Sequence, residues 1–151
     1  MPASDADVAV LTELLGRPPR ADFDVVARGT DGHPLVIRNA PLFDDGTPMP
    51  TRYWLVDPDL TVRISRLEST GGVRAAERVV DRDELLAAHA EYARERDEQL
   101  ASDHAGPRPT GGVGGTRTGV KCLHAHYAYH LAGGDDPVGR WVSAQLEEGG
   151  A

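Results

Sequence analysis

A chain of 151 residues has room for one core but not for two full domains, and with 40% hydrophobic and 26% charged residues it reads as globular rather than disordered or fibrous. Its 24 acidic residues against 16 Lys and Arg leave a formal charge of −8, which repels a phosphate backbone, so no nucleic-acid partner is expected.

Ser4 and Asp7 carry a capping signal, and Val8, Leu11, Leu14 and Leu15 recur at helical spacing up to Gly16, which predicts a helix over 5–15. Two prolines in Arg17-Pro18-Pro19-Arg20 cannot continue that helix and make a stiff connector. Phe23, Val25 and Ala27 alternate with their neighbours, Leu35-Val36-Ile37 is β-prone, and Asp31-Gly32 supplies turn chemistry between them, so a hairpin is expected. The turn formers of Asp44 to Pro50 separate it from a third strand at Tyr53-Trp54-Leu55-Val56.

Asp57 or Asp59 can cap a helix carrying Leu60, Ile64 and Leu67, with Gly71-Gly72 expected to end it, although Leu60 to Ser65 also alternates as a strand would. Asp83 to about Leu100 is the most helical stretch and places Leu85, His89, Tyr92 and Arg96 on one stripe. Residues 102–119 are rich in Gly and Pro without apolar periodicity, which predicts a loop or hinge, functional or flexible. Helical spacing returns from Val120 to about Leu131, and Asp136-Pro137 opens a last helix buried through Val138, Trp141, Val142 and Leu146. The expected architecture is a single α+β domain over 1–151, with a small antiparallel sheet of about three strands and about five helices.

The lone cysteine, Cys122, cannot close an intramolecular disulfide, and the first residues have neither the basic start nor the apolar run of a signal peptide. No stretch approaches the roughly 20 apolar residues of a membrane span. A cytoplasmic protein without a membrane partner is expected.

Chemistry concentrates in Lys121 to His130, which holds Cys122 and three of the six histidines. Cys122, His126 and His130 stand at i, i+4 and i+8, a spacing by which a helix presents zinc ligands, but three groups along one straight helix cannot surround an ion, so Asp or Glu from elsewhere would be needed. Alternatively, Cys122 beside Lys121 near a helix N-terminus fits a nucleophile with His124 or His89 as base. Against both stands the plain reading of Cys122 as a small core residue and of His124 as a hydrogen-bonded core histidine. Gly111 to Lys121 lacks the Gly-Lys-Ser/Thr order of a nucleotide-binding loop, yet Arg117, Lys121 and backbone amides could nest an anion. Arg66, Glu68 and Arg96 sit on helices, where buried arginine serves either an ion pair or capture of a carboxylate or phosphate.

Taken together, Gly16 to Arg20, Asp45 to Thr51, Ser65-Arg66-Leu67-Glu68, Ala88-His89-Ala90-Glu91-Tyr92 with Arg96, and Val120-Lys121-Cys122-Leu123-His124 resemble the DUF501 family, a bacterial domain of unknown function. The resemblance runs from about residue 5 to Trp141. It implies a small single-domain protein with no established activity, in a housekeeping setting beside genes for enolase, a septum-formation initiator and an exopolyphosphatase. The family pattern falls on Lys121 to His124, Ser65 to Glu68, His89 and Arg96, and does not include His126 or His130. Cys122 and His124 point about 160° apart on a regular helix, so a shared site requires that the helix begin at or after Cys122.

The leading expectation is a polar pocket where the start of the 120–131 helix meets the 58–70 and 83–100 helices. There Arg66, Glu68, Arg96, Arg117 and Lys121 would bind a small anionic molecule, a phosphorylated one among the candidates, and Cys122 with His124 or His89 would supply nucleophilic or acid/base catalysis. The competing expectations are an interaction or regulatory module with a protein partner, and a zinc-stabilised domain; no cofactor is specified.

Overall fold

The computed structural model describes residues 3–149. Six α-helices and three strands follow in the order α1 (Asp5–Leu15), β1 (Phe23–Arg28), β2 (Pro34–Asn39), β3 (Tyr53–Leu55), α2 (Pro58–Ser69), α3 (Gly72–Val79), α4 (Arg82–Glu98), α5 (Leu123–Leu131) and α6 (Pro137–Gly149). A short 3₁₀ turn, Val113–Gly115, interrupts the segment between α4 and α5. This is the expected small α+β domain.

Local chemistry sets the element ends. Ser4 and Asp7 form a reciprocal capping box on α1, and Gly16 closes the helix in the left-handed region. Asp57 caps α2 with Pro58 in its first turn, so the helical reading of Leu60 to Ser65 prevails over the strand alternation. The strands pair antiparallel in the order β1-β2-β3, with Val25 opposite Ile37 and Val36 opposite Leu55. The β1/β2 turn uses Gly32 at φ 85° and an Asp31 side chain that accepts from the His33 amide.

Both faces of this small sheet are covered. Ile37 and Val56 pack with Leu11 of α1 on one side. On the other, Val36, Tyr53 and Leu55 join Ile64, Leu123 and Val142 in the larger core. Tyr53, Tyr92 and Tyr129 meet there with ring centroids 5.3 to 5.9 Å apart, tying β3 to α4 and α5.

Two expectations need correction. Gly71-Gly72 ends α2 as expected but also turns a corner into α3, a sixth helix where about five were expected: Gly71 sits at φ 89°, and a Cβ on Gly72 would lie 2.6 Å from the Leu67 carbonyl oxygen. The glycines permit a tight joint between two helices. Second, α5 starts at Leu123 rather than Val120, with Cys122 as its extended N-cap at φ −148°. The 102–119 segment is a loop, as expected, but part of it is interior: Gly111, Gly112 and Val113 are buried and Val113 joins the main core.

Candidate functional site

The glycine-rich approach to α5 has little apolar surface of its own, and polar side chains from three helices fasten its backbone instead. Arg96 Nη1 donates to the Gly111 carbonyl at 2.7 Å. His89 Nδ1 accepts from the Val113 amide at 3.0 Å, while its Nε2 donates to the Gly119 carbonyl at 2.8 Å. Glu77 of α3 accepts from the Val120 amide at 3.1 Å, and Glu68 of α2 from the Leu123 amide at 2.8 Å. A Cβ on Gly112 would lie 2.6 Å from the His89 ring, so glycine there is what lets the loop close onto α4.

These contacts fix the state of His89. A backbone amide can only donate and a carbonyl only accept, so the ring is the neutral Nε2–H tautomer with both nitrogens committed. Burial pushes its pKa below the ordinary value, the Gly119 carbonyl pulling the other way. His89 therefore holds the loop and has no nitrogen left to act as the base for Cys122, as the sequence reading had allowed.

At the end of this fastened segment three metal-ligating or acid/base groups converge. One ligating atom each from Glu68, Cys122 and His124 lie within 4.8 Å of one another, the only such group among the described residues. Cys122 Sγ is 3.8 Å from His124 Nδ1, and Glu68 Oε1 is 3.3 Å from the same nitrogen. On the far side of the ring, Nε2 lies 3.1 Å from the Thr61 carbonyl and 3.2 Å from Ser65 Oγ. The carbonyl requires a proton on Nε2, which turns Nδ1 toward the thiol and the carboxylate.

The late start of α5 makes this possible. With Cys122 still extended and His124 in the first turn, residues that a continuous helix would splay apart face the same point. Glu68 serves twice: Oε2 caps α5 through the Leu123 amide and Oε1 stays with the cluster. All three residues are half-buried. The Cys122 contact, followed by the Thr61 carbonyl and the Glu68 charge, raises the His124 pKa to about 9 against the opposing effect of burial.

The spacing of Cys122, His126 and His130 does not translate into a shared site. His126 is fully buried on α5, with Nδ1 2.6 Å from Asp136 Oδ2, while Asp136 Oδ1 accepts the Val138 and Gly139 amides at the start of α6. This pair joins two helices and lies off the Cys122 cluster. The expected anion-binding residues also separate: Arg66 is exposed on another side of α2 beside Arg63, Thr70 and Gln145, Lys121 is exposed, and Arg96 and Arg117 line a groove against α4. Glu77, a fastening residue, was missed because its only signal was membership of an unrecognised helix.

The site and fold define a small α+β domain with a Glu-Cys-His cluster at a capped helix start. A protein-family model described as "Protein of unknown function (DUF501)" matches residues 25–144, and the chain belongs to that family. The match begins within β1, after α1 and the Arg17 to Arg20 connector, so it covers the sheet from Val25 onward, both helices of the cluster and the fastened loop, but less of the N-terminus than the motif resemblance. No curated protein and no solved structure matches the chain. No helix among the described residues is long and apolar enough to cross a membrane.

Proposed function

We propose that the domain binds a divalent metal of the zinc class through Cys122 Sγ, His124 Nδ1 and Glu68 Oε1, leaving a fourth position for water or an anionic ligand. The observation that carries this reading is the convergence of one sulfur, one nitrogen and one oxygen on a common point. A tetrahedral ion with ordinary zinc–ligand lengths separates its S and N ligands by about 3.6 Å and its N and O ligands by about 3.4 Å. The corresponding separations here are 3.8 and 3.3 Å. Support also comes from the other ring nitrogen, because a ligating histidine ordinarily donates its second N–H to a carbonyl or carboxylate, the role of Thr61 here.

Three protein ligands with an open position suit catalysis or ligand capture better than a closed structural site. At that position a metal would polarise a bound water or hold an anionic donor. Without metal, the 3.8 Å contact between Cys122 and His124 favours the second reading, a thiol–imidazole pair for nucleophilic chemistry with Glu68 orienting it.

Cobalt substitution separates the two. The full-length protein, stripped with a chelator, is loaded with Co(II) and freed of excess by gel filtration. The expected result is about one metal per chain with a thiolate-to-cobalt absorption band in the near ultraviolet. Cys122→Ser should abolish the band, and His124→Ala should abolish stoichiometric retention. Wild-type protein that emerges metal-free, or variants that retain metal unchanged, would overturn the metal reading.

A further inference from the structure

A second candidate site lies outside the cluster. Between α4 and the segment from Arg108 to Arg117 runs a groove of about 460 Å³, floored by Leu86, Ala90 and Ala93. Its volume falls within the range of small-molecule sites. Its charge runs against that of the chain: Arg96, Arg108 and Arg117 line it with Asp97 as the one carboxylate, in a protein with a formal charge of −8.

Holding the loop does not account for these cations. The Arg96 side chain is only 6% exposed, with Nε on Asp97 at 3.0 Å and Nη1 on the Gly111 carbonyl at 2.7 Å, which leaves Nη2 without an acceptor among the described residues. Arg108 reaches one backbone carbonyl, that of His104, at 3.2 Å. Neither Arg108 nor Arg117 has a carboxylate partner among the described residues. An ion-pair role would predict nearby acids, and Asp97 alone cannot balance three guanidinium groups.

A larger cleft, about 890 Å³ beside α1 and β1, has the opposite character. Its cations are already engaged, Arg38 by Asp24 at 2.8 Å and Arg52 by the Asn39 carbonyl at 2.7 Å, and Asp22 and Asp44 add further negative charge. That cleft repels anions, whereas the smaller groove attracts them.

The geometry points to the α4 groove as a binding site for a small phosphorylated molecule with an apolar body. Arg96, Arg108 and Arg117 hold the phosphate, and the body lies on Leu86, Ala90 and Ala93. A lone carboxylate is satisfied by one forked guanidinium, while a phosphate dianion has enough oxygens and charge for three. None of Glu68, Cys122 or His124 lines the groove, so the inference does not depend on the metal reading.

The test is calorimetric titration of the full-length His124→Ala protein, stripped with a chelator, which removes any contribution from phosphate on a metal, with phenyl phosphate, inorganic phosphate and benzoate. The expected result is saturable binding of phenyl phosphate that weakens with salt, with weaker binding of the other two. Arg117→Gln should reduce affinity about tenfold, the loss of one charge-assisted contact, while Arg66→Gln on another side of α2 leaves it unchanged. Arg96→Gln can release the Gly111 carbonyl and loosen the loop, so Arg108→Gln provides the second reading. Absence of saturable phenyl phosphate binding, benzoate binding as tightly, or indifference to both the Arg117 and Arg108 variants would overturn the proposal.

Discussion

Three histidines, His89 on α4 and His124 and His126 on α5, do different work, and the difference lies in what their ring nitrogens already touch. His89 has both nitrogens on loop backbone, and His126 is sealed in the core against Asp136, the two rings meeting edge to face at 5.6 Å between centroids. His124, at the half-buried start of α5, turns Nδ1 toward a thiol and a carboxylate. A buried histidine whose partners are backbone or a helix cap is a fastener, whereas one whose free nitrogen faces other ligating atoms can accept a metal or a proton. Proximity in sequence does not distinguish them.

The comparison breaks most visibly if the interior pair is cut. Asp136→Ala deprives His126 Nδ1 of its partner and leaves the Val138 and Gly139 amides uncapped, with both original side chains fully buried. The expected loss is about 3 to 5 kcal/mol, a large share of a small domain's stability. Urea unfolding followed by circular dichroism measures it, and a loss below about 1 kcal/mol, the scale of an exposed pair, would remove His126 from the class of structural histidines.

Removal of the loop fastener should come next. His89→Ala abandons the Val113 amide and the Gly119 carbonyl at once, with an expected cost of about 2 to 3 kcal/mol. Hydrogen exchange should rise first at Val113 and its neighbours while the α4 core stays protected. Acid should imitate the substitution. Because burial holds the folded His89 pKa below its unfolded value of 6.5, the unfolded chain binds the proton first. Its contribution is complete above about pH 6.5 and is lost as pH falls through the depressed folded value. A pH titration of stability in wild type and His89→Ala should diverge above pH 6.5 and converge below it; parallel curves would contradict the neutral-tautomer assignment.

Much of the architecture was legible because local rules and tertiary packing agree. The capping residues, the hairpin turn and the Leu85-His89-Tyr92-Arg96 stripe all appear where their periodicity and turn chemistry placed them, with the four stripe residues buried together. The joint at Gly71-Gly72 misled because the same residue that stops a helix also permits a corner between two. For the cluster, the Cys122-x-His124 pair could be named, along with the condition that the helix start late. The contribution of Glu68 depends on how α2 packs against α5, a long-range fact that neither 3.6-residue periodicity nor a short motif contains. Glu77 illustrates the same limit, since its role is defined by the loop amide it meets rather than by its neighbours in sequence.

The smallest effect on the bare fold, and the sharpest contrast with the interior histidines, should come from His124→Ala. The imidazole is part-exposed and the α5 start remains capped by Glu68 through the Leu123 amide, so metal-free protein should lose no more than about 1 kcal/mol. The difference should appear only when metal is supplied. A ligand bound solely by the folded state adds stability according to its saturation, about 2.7 kcal/mol at a hundred times its dissociation constant. Wild-type protein should therefore gain stability with zinc and lose the gain on chelation, while His124→Ala should have the same melting temperature in both conditions. His89→Ala, destabilised at the outset, should still gain with zinc, because its side chain fastens the loop without contributing a ligand. Equal zinc responses in wild type and His124→Ala would place His124 beside His89 and His126 as a structural residue.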